Sequence, residues 1–108
     1  YQGLAGDGSS VYGVESEGTL RAWDLRTGAE RWSQDKLRYR QTTAPAVVGR
    51  SVAVGDGTGF VHLLSREDGG LLDRLSTDGS AVAATPVLAA DTLVVVTQKG
   101  GVYGFRPQ

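Results

Sequence analysis

The chain contains no cysteine and no methionine, a single histidine (His62), and only 3 prolines in 108 residues. Without cysteine there is no disulfide, no thiolate zinc site and no thiol nucleophile, and the redox compartment stays open. No apolar run approaches the roughly 20 residues that cross a bilayer as a helix. The longest are four residues, such as Leu93-Val94-Val95-Val96, the length of a strand. The net charge is only −1, so the basic footprint of a nucleic-acid binder is missing. A chain that lacks methionine and opens on Tyr1-Gln2 is expected to be part of a longer product, with any signal peptide or lipid anchor upstream. What the chain does have is glycine, 16 residues of it, together with 40% hydrophobic and 21% charged side chains. That balance belongs to a folded domain of many short strands joined by tight turns.

A repeat organises these residues. Turn glycines Gly18, Gly59 and Gly100 recur every 41 positions, and Val11, Val52 and Leu93 keep the same period. So do Leu4, Pro45 and Pro86, and the pair Gly28 and Gly69. Each unit reads as a short strand, a β-branched strand, a glycine turn, a third strand, a second turn and a fourth strand. First strands are expected near 2–6, 44–48 and 84–89, and third strands at 19–25, 60–65 and 101–106. Fourth strands are expected at 30–34 and 71–76, and the third unit stops before its own. No helical periodicity appears, so no helix is predicted.

The fold class is therefore all-β. It is a β-propeller fragment of nearly three four-stranded antiparallel blades, 4+4+3 strands, over 2–34, 44–76 and 84–106. In the third strands, Leu20, Val61 and Val102 form one apolar column, and Ala22, Leu63 and Gly104 the next on the same face. Trp23, Leu64 and Phe105 form a bulky column on the other face, and Arg21, His62 and Tyr103 read as a solvent-facing column. Sheets apolar on both faces are expected where each lies between neighbours. Known propellers close with at least about four blades, so nearly three would leave sheet edges and apolar faces uncovered, and the isolated fragment is predicted to self-associate.

The run Glu17-Gly18-Thr19-Leu20-Arg21-Ala22-Trp23-Asp24-Leu25-Arg26-Thr27-Gly28-Ala29-Glu30-Arg31-Trp32 closely resembles the quinoprotein-type blade signature. Ala22 is small where the next blade covers it, and Asp24 can accept from turn N–H groups. Gly28 supplies positive φ, and Trp32 packs on the adjacent blade with its indole N–H satisfied. The second unit keeps part of this, with Ser65 and Asp68-Gly69, and has Asp73 in the Trp32 column. More specifically, Val52 through His62, Glu67-Asp68-Gly69, Trp32-Ser33-Gln34, Thr43-Ala44-Pro45 and Lys99 through Arg106 resemble the BamB family of outer-membrane assembly lipoproteins.

The resemblance implies an eight-bladed ring whose last blade is completed by a strand from the N-terminal part of the full chain. It implies a non-catalytic scaffold that binds BamA and other components of the β-barrel assembly machine through loops on one rim. It also implies a lipid anchor at an N-terminal cysteine absent here, on the periplasmic face of the outer membrane. The family's best-known BamA-contacting loops match no position of this chain. An alternative with the same blade signature is the C-terminal part of a quinone-dependent dehydrogenase, whose catalytic Asp, calcium ligands and adjacent-cysteine disulfide find no counterpart. A third is a generic repeat platform for another envelope complex.

No residue stands out as catalytic, metal-binding or cofactor-binding. His62 reads as a surface strand position. Asp56-Gly57-Thr58-Gly59 lacks the spacing of a calcium loop and reads as a hairpin turn in which Asp56 caps backbone amides. The segment Asp35-Lys36-Leu37-Arg38-Tyr39-Arg40 is the part least explained by the repeat, joining blade one to blade two on a rim. With Arg38, Tyr39 and Arg40 it suits a protein-contact loop, since Tyr and Arg are enriched at interface hot spots. A solvated connector is the alternative, and the pattern favours it.

Overall fold

The computed structural model describes residues 3–106, so the expected start of blade one at Gln2 lies outside the described residues. Blade one is β1 (Leu4–Gly6), β2 (Ser10–Val14), β3 (Leu20–Asp24) and β4 (Glu30–Gln34). Blade two is β5 (Ala46–Val48), β6 (Ser51–Gly55), β7 (Phe60–Ser65) and β8 (Leu71–Ser76). Blade three is β9 (Val87–Ala89), β10 (Thr92–Val96) and β11 (Val102–Phe105). They form three antiparallel sheets of 4, 4 and 3 strands, each in chain order, as the repeat predicts. Even the irregularities repeat: the register shifts between Ala22 and Trp23 in β3 and between Leu63 and Leu64 in β7, one period apart.

Side chains alternate along a strand, so the middle sheet, blade two, feeds two cores. Tyr12, Val14, Leu20 and Ala22 of blade one meet Val52, Val54 and Leu64 of blade two, all buried. From the opposite face of blade two, Ala53, Val61 and Leu63 meet Leu93 and Val95 of blade three. Burying one such aliphatic side chain contributes about 2 kcal/mol, so these two seams hold the blades together.

Polar chemistry fixes the turns of the first signature as expected. Asp24 Oδ1 accepts from the N–H groups of Arg26 at 2.8 Å and Thr27 at 3.0 Å. In blade two Ser65 stands one period on and its hydroxyl accepts from the Glu67 N–H at 3.2 Å. Trp32 reaches across the seam and donates its indole N–H to the Arg66 carbonyl at 2.8 Å. Gly69, at φ +76, lies under that ring: a Cβ there would sit 2.4 Å from the indole, so the site excludes a side chain on both counts. Gly28 has the same φ in the equivalent turn of blade one.

Candidate functional site

Two rims follow from this geometry. One carries the β1–β2 and β3–β4 turns and their counterparts. The other carries the β2–β3 and β6–β7 turns and the connector from β4 to β5. Main-chain bonds staple this connector to both turns. The Tyr39 N–H donates to the Glu17 carbonyl at 2.6 Å, and the Gly57 N–H donates to the Arg40 carbonyl at 2.7 Å. A Cβ on Gly18 would lie 2.5 Å from the Leu37 carbonyl, so the first turn accepts the connector only because that position is glycine.

Leu37 is 2% exposed and packs into the core shared by blades one and two. Its burial is worth about 2 kcal/mol. The exposed Arg38–Glu17 pair, at 3.8 Å, is worth under about 1 kcal/mol, so Leu37 sets where the connector sits. Outside that anchor the segment is presented to solvent. Tyr39 is 76% exposed, with the Arg38 guanidinium 5.1 Å from its ring centroid and donating to its hydroxyl at 2.8 Å. Tyr39 and Gln41 both hold positive φ, +63 and +56, which costs a non-glycine residue about 1 kcal/mol and persists only where surroundings over-determine the backbone. Arg38, Tyr39 and Arg40, the residues of the candidate contact loop, are therefore brought to one exposed and firmly held stretch of a rim.

Beneath Arg40 lies a polar pair that contradicts the sequence expectation for His62. Rather than a surface position, His62 is 4% exposed, and its Nε2 lies 2.7 Å from Oδ2 of the fully buried Asp56. The reason is alternation. His62 shares a face with Leu64, and in blade two that face is covered by blade one. Arg21, one period earlier, lies on the face of blade one turned away from blade two and is half-exposed, so the column mixed two environments. The pairing itself repeats: Arg21 binds Glu15 and Glu30, and Glu15 stands one period before Asp56.

Asp56 also caps its turn as expected. Oδ1 accepts from the Thr58 N–H at 2.9 Å, the Thr58 hydroxyl at 2.9 Å and the Phe60 N–H at 3.1 Å. Burial alone would push its carboxyl up, but the bonds from His62, Thr58 and Phe60 outweigh that and hold it below the usual carboxylate range. Arg40 adds a guanidinium 3.7 Å from Oδ2.

Other titratable groups are also occupied by architecture. Asp7 on the opposite rim accepts from the N–H groups of Ser9 and Ser10, from the Tyr12 hydroxyl at 2.7 Å and from Arg66 of blade two. Burial pushes its carboxyl up, and these donors overcome it and hold Asp7 well below the usual range. Sequence reasoning missed this cluster, for which the only local signal was an Asp opening the turn Asp7-Gly8-Ser9-Ser10. Asp78 accepts from the Ser80 amide and hydroxyl within the second connector and, at 2.8 Å, from the Thr97 hydroxyl, which ties that connector to blade three. Among the described residues no three His, Asp or Glu side chains gather to hold a metal ion. No helix among them is long and apolar enough to cross a membrane.

Comparison with known proteins fits this architecture. The family model described as outer membrane protein assembly factor BamB matches residues 1–34 and 16–108. The BamB of Burkholderia pseudomallei is 52% identical over 106 residues, which are 98% of this chain and 28% of that protein. The BamB of Bordetella pertussis is 39% identical over 104 residues, 96% of this chain and 27% of that one. The crystal structure of BamB from Moraxella catarrhalis matches with a TM-score of 0.88 at 29% identity, covering 95% of this chain and 30% of that chain. A computationally designed protein, Ika4, shares the fold alone, with a TM-score of 0.80 at 20% identity over 97% of this chain and 64% of that one. The chain thus spans a little over a quarter of the length of these two curated relatives. A propeller repeat carried by every sheet, and a family match running its whole length, show that the chain belongs to the outer membrane protein assembly factor BamB family.

Proposed function

We propose that the chain forms part of a non-catalytic propeller scaffold of the outer-membrane β-barrel assembly machine. It presents a rim to BamA and other components of the machine, supporting the folding and insertion of outer-membrane proteins. In this reading the blades at 2–34, 44–76 and 84–106 belong to an eight-bladed ring, lipid-anchored on the periplasmic face of the outer membrane. The family membership supports the process. The observation that carries the scaffold reading is the connector through Arg38, Tyr39 and Arg40, exposed in its side chains yet fixed at both ends through its main chain. Preorganised aromatic and arginine side chains suit a contact surface, because little ordering entropy is lost on binding. The groups that might have served acid–base chemistry, Asp7, Asp56, His62 and Asp78, instead tie turns and blades together.

The test is binding of the full chain to purified BamA, with Tyr39→Ala/Arg40→Ala as the paired variant. Wild-type binding that weakens at least about tenfold in the variant is the expected result. No binding by the wild type overturns the scaffold reading. So does alcohol-dependent dye reduction on addition of the quinone and calcium.

A further inference from the structure

Beside the connector lies a cavity of about 440 Å³ whose chemistry the blade repeat does not require. Its walls come from the connector and from β8, the outer strand of blade two, with His62 between them. Three cations line it, Lys36, Arg40 and Arg74, against one carboxylate, Asp73. Arg74 stacks on the Phe60 ring at 4.4 Å, and among the described residues neither it nor Lys36 has an ion-pair partner. Unlike the guanidiniums of Arg21 and Arg66, each tied to a carboxylate of its own fold, these two charges are left to solvent. The wall is also apolar in part: Leu71 is 46% and Leu72 58% exposed.

From this arrangement we infer that the cavity is a subsite for a carboxylate side chain, Asp or Glu, set next to an apolar residue in an extended acidic segment of the protein that docks on this rim. The inference rests on the scaffold reading and names the chemistry of its partner. Uncompensated cations facing a partner steer and orient an acidic group. The neighbouring leucines reward an apolar side chain beside that carboxylate, which a hydrated phosphate or a lipid headgroup does not offer. Tyr39, next to Arg40 in the connector and 76% exposed, supplies an aromatic surface on the same segment. His62 and the connector are linked through one turn, since Asp56 holds His62 at 2.7 Å and the Gly57 N–H holds the Arg40 carbonyl at 2.7 Å.

The test uses the full chain and a fluorescein-labelled peptide of alternating Glu and Leu, with its Gln/Leu counterpart as control, read by anisotropy. The Glu peptide is expected to bind at least about tenfold more tightly than the Gln peptide, the scale of a charge-assisted contact. Lys36→Gln and Arg74→Gln are each expected to weaken the Glu peptide several-fold, Lys36→Gln at an unchanged thermal midpoint and Arg74→Gln at a slightly lower one because it gives up the stack on Phe60. Equal binding of the two peptides overturns the inference, as does indifference to both variants. Binding to phosphatidylglycerol vesicles or displacement by inorganic phosphate, without Glu-peptide binding, overturns it in favour of a lipid or free-anion site. BamA binding that survives Lys36→Glu/Arg74→Glu sinks this subsite and leaves the scaffold standing, whereas failure of the wild-type chain to bind BamA sinks the scaffold itself.

Discussion

His62 and Asp56, with 2.7 Å between Nε2 and Oδ2, form a buried pair where blade one has the half-exposed pair Arg21 and Glu15. The repeat has kept an acid–base contact at one place in the sheet while the burial around it changed. Breaking such a contact from one side leaves the other group unsatisfied in the interior, which costs more than the contact itself is worth. Asp56→Ala also removes the acceptor for the Thr58 and Phe60 amides, so a loss of about 3 kcal/mol is expected in denaturant unfolding of the full chain. The double variant with His62→Ala should lose less than the sum of the singles. Strict additivity would mean that the pair is not coupled.

Trp32 tests the seam. Trp32→Phe keeps an aromatic ring but removes the donor to the Arg66 carbonyl and part of the buried indole, so about 1–2 kcal/mol should be lost. Gly69→Ala should cost more, about 2 kcal/mol or above, because it meets both a strained φ and the indole. If the two changes proved equal and small in thermal midpoint, the close packing of Trp32 on Gly69 would be refuted.

Acid should loosen the structure in a defined window. Hydrogen bonds from the Ser80 hydroxyl and amide, then from Thr97, hold Asp78 down at about 2, and Asp7 and Asp56 are also held below the usual range. For a carboxyl depressed in the folded state, the stabilisation is complete above its unfolded value near 4 and fades as pH falls through the folded value. The unfolding midpoint should therefore be flat above pH ~4.5 and fall between pH ~4 and ~2. In Asp78→Asn the slope should be shallower and the plateau lower. A wild-type midpoint that rises on acidification would contradict the assignment.

Leu4, Val87, Val96 and Val102 are exposed apolar side chains in the two outer sheets, and among the described residues β11 pairs on one side only. Uncovered apolar faces and a free strand edge seek partners. The 108-residue chain studied by itself should therefore scatter light as an oligomer at micromolar concentration. A stable, folded monomer would count against this.

The strands and most of the first-blade signature were legible because they rest on local chemistry: Gly28 and Asp24 do within a few residues what their residue types imply, while Trp32 was legible from the blade signature, which places it against the adjacent blade. The connector was legible as the segment the repeat could not absorb, though not its anchor, since nothing in Asp35-Lys36-Leu37 shows that Leu37 turns inward. His62 was misread because alternation tells which side chains share a face but not what covers that face. Asp7 with Arg66 joins residues 59 positions apart across a blade seam, and no periodicity relates them.

The bond from the Gly57 N–H to the Arg40 carbonyl recurs one period later, from the Gln98 N–H to the Ala81 carbonyl. Both use main-chain atoms alone. Beside the anchoring side chains of Leu37 and Asp78, the rim connectors are therefore fastened by bonds that substitution of their exposed side chains does not remove. Side chains such as Arg38 and Tyr39 are thereby released from the task of holding the backbone in place. Such a segment can drift through sequence while its backbone stays in place. A lineage could thus re-tailor what this rim recognises without first having to reinvent the platform beneath it.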